Sequence, residues 1–207
     1  MKQPHFVKAS AIAAIFLLVS ALQAGPGPDL KNSSPHLQIA LLGGAFSPFE
    51  NEVQRIYGTG PQGQIQLGLP LGQFGRITFG AGYFRKSGDP YYRAEDFDAG
   101  NAGRFEILPL SLRIEIAGLG GRHTKVFVGA GLDGIWVREN ITGLPRSTGG
   151  TIGAHVSVHP EFYLSGPFAL VTEGRLQFAD VTLRTGRTRY DFNLSGVSLM
   201  AGLAYRF

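Results

Sequence analysis

The segment ILPLSLRIEI, residues 107–116, decides how the chain is read. Leu108, Leu110, Leu112, Ile114 and Ile116 share one parity, and Pro109, Ser111, Arg113 and Glu115 share the other. A period of two sends successive side chains to opposite faces of a β-strand, whereas a helix would spread both sets around its circumference. This strand therefore presents hydrocarbon on one face and an Arg and a Glu on the other.

The alternation recurs on both sides of it. Ile77, Phe79, Ala81 and Tyr83 oppose Thr78, Gly80 and Gly82. Val126, Val128, Ala130, Leu132 and Trp136 oppose Lys125, Gly129, Gly131 and Asp133. Ile152, Ala154, Val156, Val158 and Phe162 oppose Gly153, His155, Ser157, His159 and Glu161. Eight strands are predicted, over about 37–46, 62–70, 76–85, 104–116, 124–137, 151–164, 168–180 and 191–207, and no window carries a helical period. The connections after the second, fourth and sixth strands are short: LGQFG, AGLGGRH and SGP. Those after the first, third, fifth and seventh are longer, over about 47–61, 86–103, 138–150 and 181–190. Short turns at one end and long loops at the other are the layout of an outer-membrane barrel, and an even strand number returns both termini to the short-turn end. The expected fold class is all-β, an eight-stranded antiparallel up-and-down transmembrane β-barrel over residues 37–207.

Composition agrees with a sheet-rich chain of many turns. The 207 residues include 30 Gly, and only 16% are charged. Average usage is nearer a quarter charged and about 7% Gly. No Cys is present, which excludes disulfides and thiol chemistry. Residues 1–24 carry Lys2 and Lys8, an apolar run over 9–22 and small residues at Ala21 and Ala24. These are the three parts of a signal peptide, cleaved after Ala21 or Ala24 and implying Sec-dependent export. Residues 25–36, GPGPDLKNSSPH, read as a flexible periplasmic leader. Without the signal, 17 basic residues face 15 acidic ones, and no basic block of the kind a nucleic acid requires is present.

Periodicity alone leaves open which face points inward. A soluble barrel of lipocalin type turns its apolar face to the interior. The outward alternative is favoured by the mixture of Gly, Arg, Glu, His and Lys on the other face. Aromatic residues at strand ends also favour it, at Tyr83, Trp136, Phe162, Phe168, Tyr205 and Phe207, where membrane girdles belong.

The ending LSGVSLMAGLAYRF resembles the terminal strand read by the outer-membrane assembly machinery, with Leu203, Tyr205 and Phe207 as the assembly signal. Together with ILPLSLRIEI, KVFVGAGLDGIWV and FALVTEGRLQF, it is similar to the outer-membrane β-barrel superfamily that includes OmpX-type and OmpW-type eight-stranded proteins. The resemblance implies an outer-membrane location, most simply as a monomer, with lipid, lipopolysaccharide and the assembly machinery as partners. It implies no cofactor and no single activity, because the superfamily holds adhesins, porin-like proteins and lipid-modifying enzymes.

The polar face supplies the candidate residues: Arg113, Glu115, Lys125, Asp133, His155, Ser157, His159, Glu161, Glu173, Arg175, Gln177 and Arg206. If Leu164 faces Phe168 across the SGP turn, His159 faces Glu173, Ser157 faces Arg175 and His155 faces Gln177. Across AGLGGRH, Glu115 is expected to face Lys125. The bland reading of this set is an interior ion-pair filling. A lipid A-modifying hydrolase is the enzymatic alternative, resting on the H-x-S spacing of His155 and Ser157. A metal at His155, His159 and Glu161 would need ligands from other strands, because strand neighbours of one parity stand about 7 Å apart. No catalytic, metal or cofactor site is therefore assigned. Eight strands leave room for little besides side chains, so a narrow OmpW-type passage for small apolar compounds is the transport alternative. The loop carrying Tyr91, Tyr92 and Phe97 is the candidate interaction loop. A structural or surface-interaction role without enzymatic activity is the favoured expectation.

Overall fold

A computed structural model describes residues 36–72, 75–88, 103–121, 123–186 and 188–207. The expected signal peptide, most of the leader and the loop residues Tyr91, Tyr92 and Phe97 lie outside these residues. Ten strands and one short helix follow in the order β1 (Gln38–Pro48), α1 (Asn51–Ile56), β2 (Gly60–Leu71), β3 (Gly75–Gly88), β4 (Gly103–Gly120), β5 (Thr124–Ile141), β6 (Ser147–Tyr163), β7 (Phe168–Phe178), β8 (Asp180–Thr185), β9 (Thr188–Asn193) and β10 (Gly196–Arg206).

Eight of the strands are staves of a closed barrel. They run β5-β4-β3-β2-β1-β10-β7-β6, and β5 pairs with β6 to complete the ring. Every pairing is antiparallel. Directly opposed residues can be followed once around from Gln38 through Gly68, Thr78, Arg113, Gly131, His155, Gln177 and Gly196, returning to β1 at Pro48. That displacement along β1 sets a strand tilt of about 40°, the usual value for a barrel of this size.

Among the described residues, the long-loop end holds more regular structure than expected. The segment expected as a loop over 181–190 is the hairpin β8–β9, which continues the register of β7 and β10 past the barrel rim. Gly186 turns it with φ 57°, a conformation glycine adopts at little steric cost. The loop expected over 47–61 contains α1, whose six residues are too short to show a period. The strands β4, β5 and β6 also overrun their expected ends, leaving only residues 142–146 between β5 and β6.

The apolar parity faces outward. On β4, Leu108, Leu110, Leu112, Ile114 and Ile116 are exposed, and Leu41, Ile65, Leu132, Ile152, Leu199 and Leu203 are exposed on other staves. The lipocalin-type alternative, which needs this face inside, does not fit. From Leu108 to Ile116 is about 26 Å along the strand, or about 20 Å of height at this tilt, close to the apolar band of a membrane barrel. Phe162, Phe168, Tyr205 and Phe207 ring the short-turn end, with Phe168 and Tyr205 edge to face at 5.4 Å. Tyr83 and Trp136 stand outward towards the loop end.

Candidate functional site in the barrel interior

The inward parity brings the polar residues together. Arg113, Glu115, Lys125, Asp133, His155, Ser157, His159, Glu161, Glu173, Arg175 and Gln177 are all buried inside the barrel. Arg76 of β3 lies opposite Glu115 of β4, bonding it at 2.5 Å and also bonding Glu161. Arg113 reaches Glu173 at 2.7 Å and Glu115 at 3.2 Å. His159 sits between Glu161 and Glu173, 3.3 Å from each. Towards the loops, Arg175 bonds Asp133, which also holds His155 Nδ1 at 2.9 Å. Three arginines and Lys125 thus face three glutamates and an aspartate, so opposite charges compensate where water is excluded.

Glycines make room for this filling. A Cβ on Gly131 would stand 2.3 Å from the Leu112 carbonyl oxygen and 2.6 Å from the Arg113 Cβ. A hydrogen at that position lets the Arg113 side chain lie across β5.

The register across the SGP turn places Ser157 opposite Arg175 and His155 opposite Gln177. The pairing expected between Glu115 and Lys125 does not form. β4 runs on to Gly120 with an irregularity between Ala117 and Leu119, so Glu115 faces Gly129 and Lys125 faces Gly120 and Glu161. Arg206 also departs from expectation. It leaves the ion network, lies over the Tyr163 ring at 4.2 Å and bonds the Gly166 carbonyl at 3.2 Å near the mouth. Leu203, Tyr205 and Phe207 of the terminal segment point outward.

Several interior residues were not among the candidates: Gln38, Gln62, Gln64, Gln66 and Arg76, together with Thr78, Ser111 and Ser198, whose parity had already set them on the face opposite the apolar one. The signal for the glutamines was present, because Gln62, Gln64 and Gln66 repeat every second residue. They bridge the charges and each other: Gln66 donates to Glu173 at 2.7 Å and accepts from Arg113 at 2.9 Å, and Ser198 donates to Gln62 at 2.9 Å.

A polar lumen throughout was expected, and half of the interior is not polar. Ala40, Leu42, Ala169, Val171, Met200 and Ala204 line the β1, β7 and β10 side. At the loop end a second apolar cluster includes Phe46, Val53, Tyr57, Phe84, Phe105, Ile135, Val137 and Leu183. α1 and the β8–β9 hairpin close over it. Tyr57 stacks on Phe105 at 4.8 Å, and its hydroxyl donates to the buried Glu139, which also accepts from Tyr190 at 2.6 Å. Burial and the Glu139 carboxylate push both phenols above the ordinary tyrosine range.

Ser157 is 3% exposed and its Oγ has no protein partner, although His155 and His159 flank it on the same strand. Among the described residues, no group of His, Asp and Glu is arranged to hold a metal ion. A cavity lined by Gln38, Ala40, Gln66, Gly68, Arg76 and Thr78 measures about 10 Å³, room for roughly one water.

No family model and no curated protein sequence matches the chain. Solved structures do. OprG, an outer membrane protein from Pseudomonas aeruginosa, is similar with a TM-score of 0.63 and 12% identity over 84% of this chain and 98% of that one. The Neisserial surface protein A follows at 0.56 and 16% identity, over 85% of this chain and 100% of that one. The fold is that of the eight-stranded outer-membrane barrels. Ail, the attachment invasion locus protein of Yersinia pestis, shares this barrel fold at a TM-score of 0.51 and 10% identity, over 84% of this chain and 100% of that one. At these identities the likeness is one of fold alone. Within it, this outer-membrane-type barrel combines a charge-compensated interior with an apolar core at its loop end.

Proposed function

We propose that the chain is exported through the Sec route and inserts in the outer membrane as a closed, non-conducting barrel with a structural or surface-interaction role and no enzymatic activity. The observation that carries this reading is the filled interior. Arg113, Glu115, His159 and Glu173 occupy the middle at 0–1% exposure, and Phe105 and Ile135 do so at the loop end at 1%. A solute would have to displace paired charges and then an apolar core. The exposed apolar belt supports membrane insertion, and the long loops would face outward. Lipid, lipopolysaccharide and the assembly machinery are the proposed partners, the last reading Leu203, Tyr205 and Phe207. Tyr91, Tyr92 and Phe97 are the proposed contact residues of the outer loop, and the barrel works as a monomer.

The test is the purified barrel in planar bilayers, alongside gel mobility with and without heating. A heat-shifted band without steady conductance is expected. A large steady conductance would overturn the closed reading, and a protein of fixed mobility in the soluble fraction would overturn the membrane reading. Removal of Phe207 is expected to reduce insertion while leaving export intact.

A second reading, a lateral passage for small apolar compounds, is favoured by one observation. The ladder joining β6 to β7 and β8 holds Ala154 opposite Phe178 and Thr148 opposite Arg184, with no paired residues between these two points. Gly149 and Gly153 lie in that stretch, where a Cβ would stand 2.5 Å from the Thr182 carbonyl oxygen and 2.8 Å from that of Phe178, respectively, with Val181, Leu183 and Ala179 of the apolar core alongside, so a passage would require these segments to part. Uptake of an apolar dye into liposomes carrying the protein, without ionic conductance, would select this reading.

A further inference from the structure

The outer face of the loop end carries arginines in file. Arg85 on β3 lies opposite Glu106 on β4, which lies opposite Arg138 on β5. One step further out on β4, Arg104 faces Asn140, whose Oδ1 accepts a 2.9 Å bond from Arg146 Nε. All four arginines are exposed. Among the described residues of this wall, the carboxylate beside them is Glu106. It lies 3.7 Å from Arg138 and accepts the Tyr83 hydroxyl at 3.1 Å. Further around, Asp180 and Asp191 bond Asn193 and Thr182, and Arg184 faces Arg189 near the hairpin tip.

The surroundings of the file point to its ligand. Two residues nearer the short turns on the same three strands stand Tyr83, Leu108 and Trp136, all exposed, and below them the apolar belt begins. The arginines therefore lie at the level where the headgroups of a lipid leaflet would follow its acyl chains. The opposite wall, at the loop ends of β1, β2 and β10, has Ser47, Phe49, Thr59, Pro61 and Val197, with Glu50 and Arg55 on the turn and helix between β1 and β2. Among the described residues of the eight staves, the exposed arginines at this level are those of the β3–β4–β5 wall. Guanidinium groups match phosphate oxygens in paired hydrogen bonds and desolvate more readily than ammonium groups.

We propose that the β3–β4–β5 wall binds the phosphates of an outer-leaflet phosphorylated glycolipid of lipid A chemistry, held by Arg85, Arg104 and Arg138. Its acyl chains lie on Leu108, Leu110 and Leu112 below. This rests on the reading above that the barrel spans an outer membrane with its long loops outward.

The full chain in lipid nanodiscs, shown by its heat-shifted band to be folded, is titrated with bis-phosphorylated lipid A and with the same lipid after phosphatase treatment. The wild type is expected to prefer the phosphorylated form at least tenfold, with a preference that falls as salt rises. The R85Q/R104Q/R138Q variant is expected to lose this preference, R138Q alone to weaken it about threefold, and R184Q/R189Q to retain it. Equal binding by the triple variant, or no discrimination by the folded wild type, overturns the inference and leaves the barrel reading standing. Full displacement of the lipid by millimolar inorganic phosphate also overturns it, because the surface would then be a general anion site. Absence of any heat-shifted barrel refutes the membrane reading itself.

Discussion

Apart from the apolar strip of β1, β7 and β10, the two halves of the interior are filled on opposite principles. Towards the short turns, charges such as Arg76, Glu115, Arg113 and Glu173 are buried only because each has a partner of opposite sign. Towards the loops, Phe46, Phe84, Phe105 and Val137 fill the space as they would in a soluble domain, with one buried carboxylate held by two tyrosines. The difference concerns what each half can tolerate. A charge network fails when one member is removed, because its partners stay behind without compensation. An apolar core fails in proportion to the volume lost. The first half belongs to the closed ring of staves, whereas the second depends on α1 and a hairpin laid over its rim.

Arg113→Ala should have the largest effect. It strands Glu115 and Glu173 at 0–1% exposure and is expected to cost about 3–5 kcal/mol in denaturant unfolding from micelles. A loss under 1 kcal/mol would mean that water enters this half and screens the charges. Phe105→Ala removes the ring stacked on Tyr57 and is expected to cost about 3 kcal/mol. The damage should be confined to the loop end, seen as proteolysis near α1 and β8–β9 with the heat-shifted band retained. Loss of the whole barrel would show that the two halves are a single cooperative unit. Gly131→Ala places a methyl against the Leu112 carbonyl and the Arg113 side chain, and about 1–3 kcal/mol of destabilisation is expected by the same unfolding measurement.

Tyr57→Phe should be the mildest, about 1 kcal/mol, read as faster amide exchange in α1. It also carries a pH test. The phenols of Tyr57 and Tyr190 are raised in the folded state, so their contribution is complete below the free tyrosine value of about 10 and falls as pH rises beyond it. The loop end should therefore loosen above about pH 10, and the Tyr57→Phe/Tyr190→Phe double variant should lose most of that dependence. An unchanged alkaline profile would remove the tyrosines from the account.

The legibility of the two halves differed for the same physical reason. In 107–116 and 152–162, polar and apolar residues alternate, so parity separated the two faces, and the charges on one of them marked it as the lumen. At Ile135, Trp136 and Val137, inside, outside and inside are all apolar, and parity carries no contrast. The loop-end core was invisible from sequence on that account. The β8–β9 hairpin had alternation of its own, with Val181 and Leu183 inward, but its Thr, Arg and Gly content reads as a loop. The Glu115 register failed because GLGG offers one side chain among three glycines, too little alternation to mark where β4 ends. Arg76 was within reach, two residues before Thr78 on a face already assigned to the lumen.

One contact joins the ends of the folding problem. Glu50, at the start of α1, accepts the backbone N–H of Asn193 at 2.7 Å, a partner 143 residues later in the chain. β1 leads into the helix, and β9 leads into the strand that zips to β1. This bond spans the seam where first and last staves meet, so it forms only when that seam has zipped. The helix is in effect a latch across that seam, and its amide protection serves as a clock for the moment of closure.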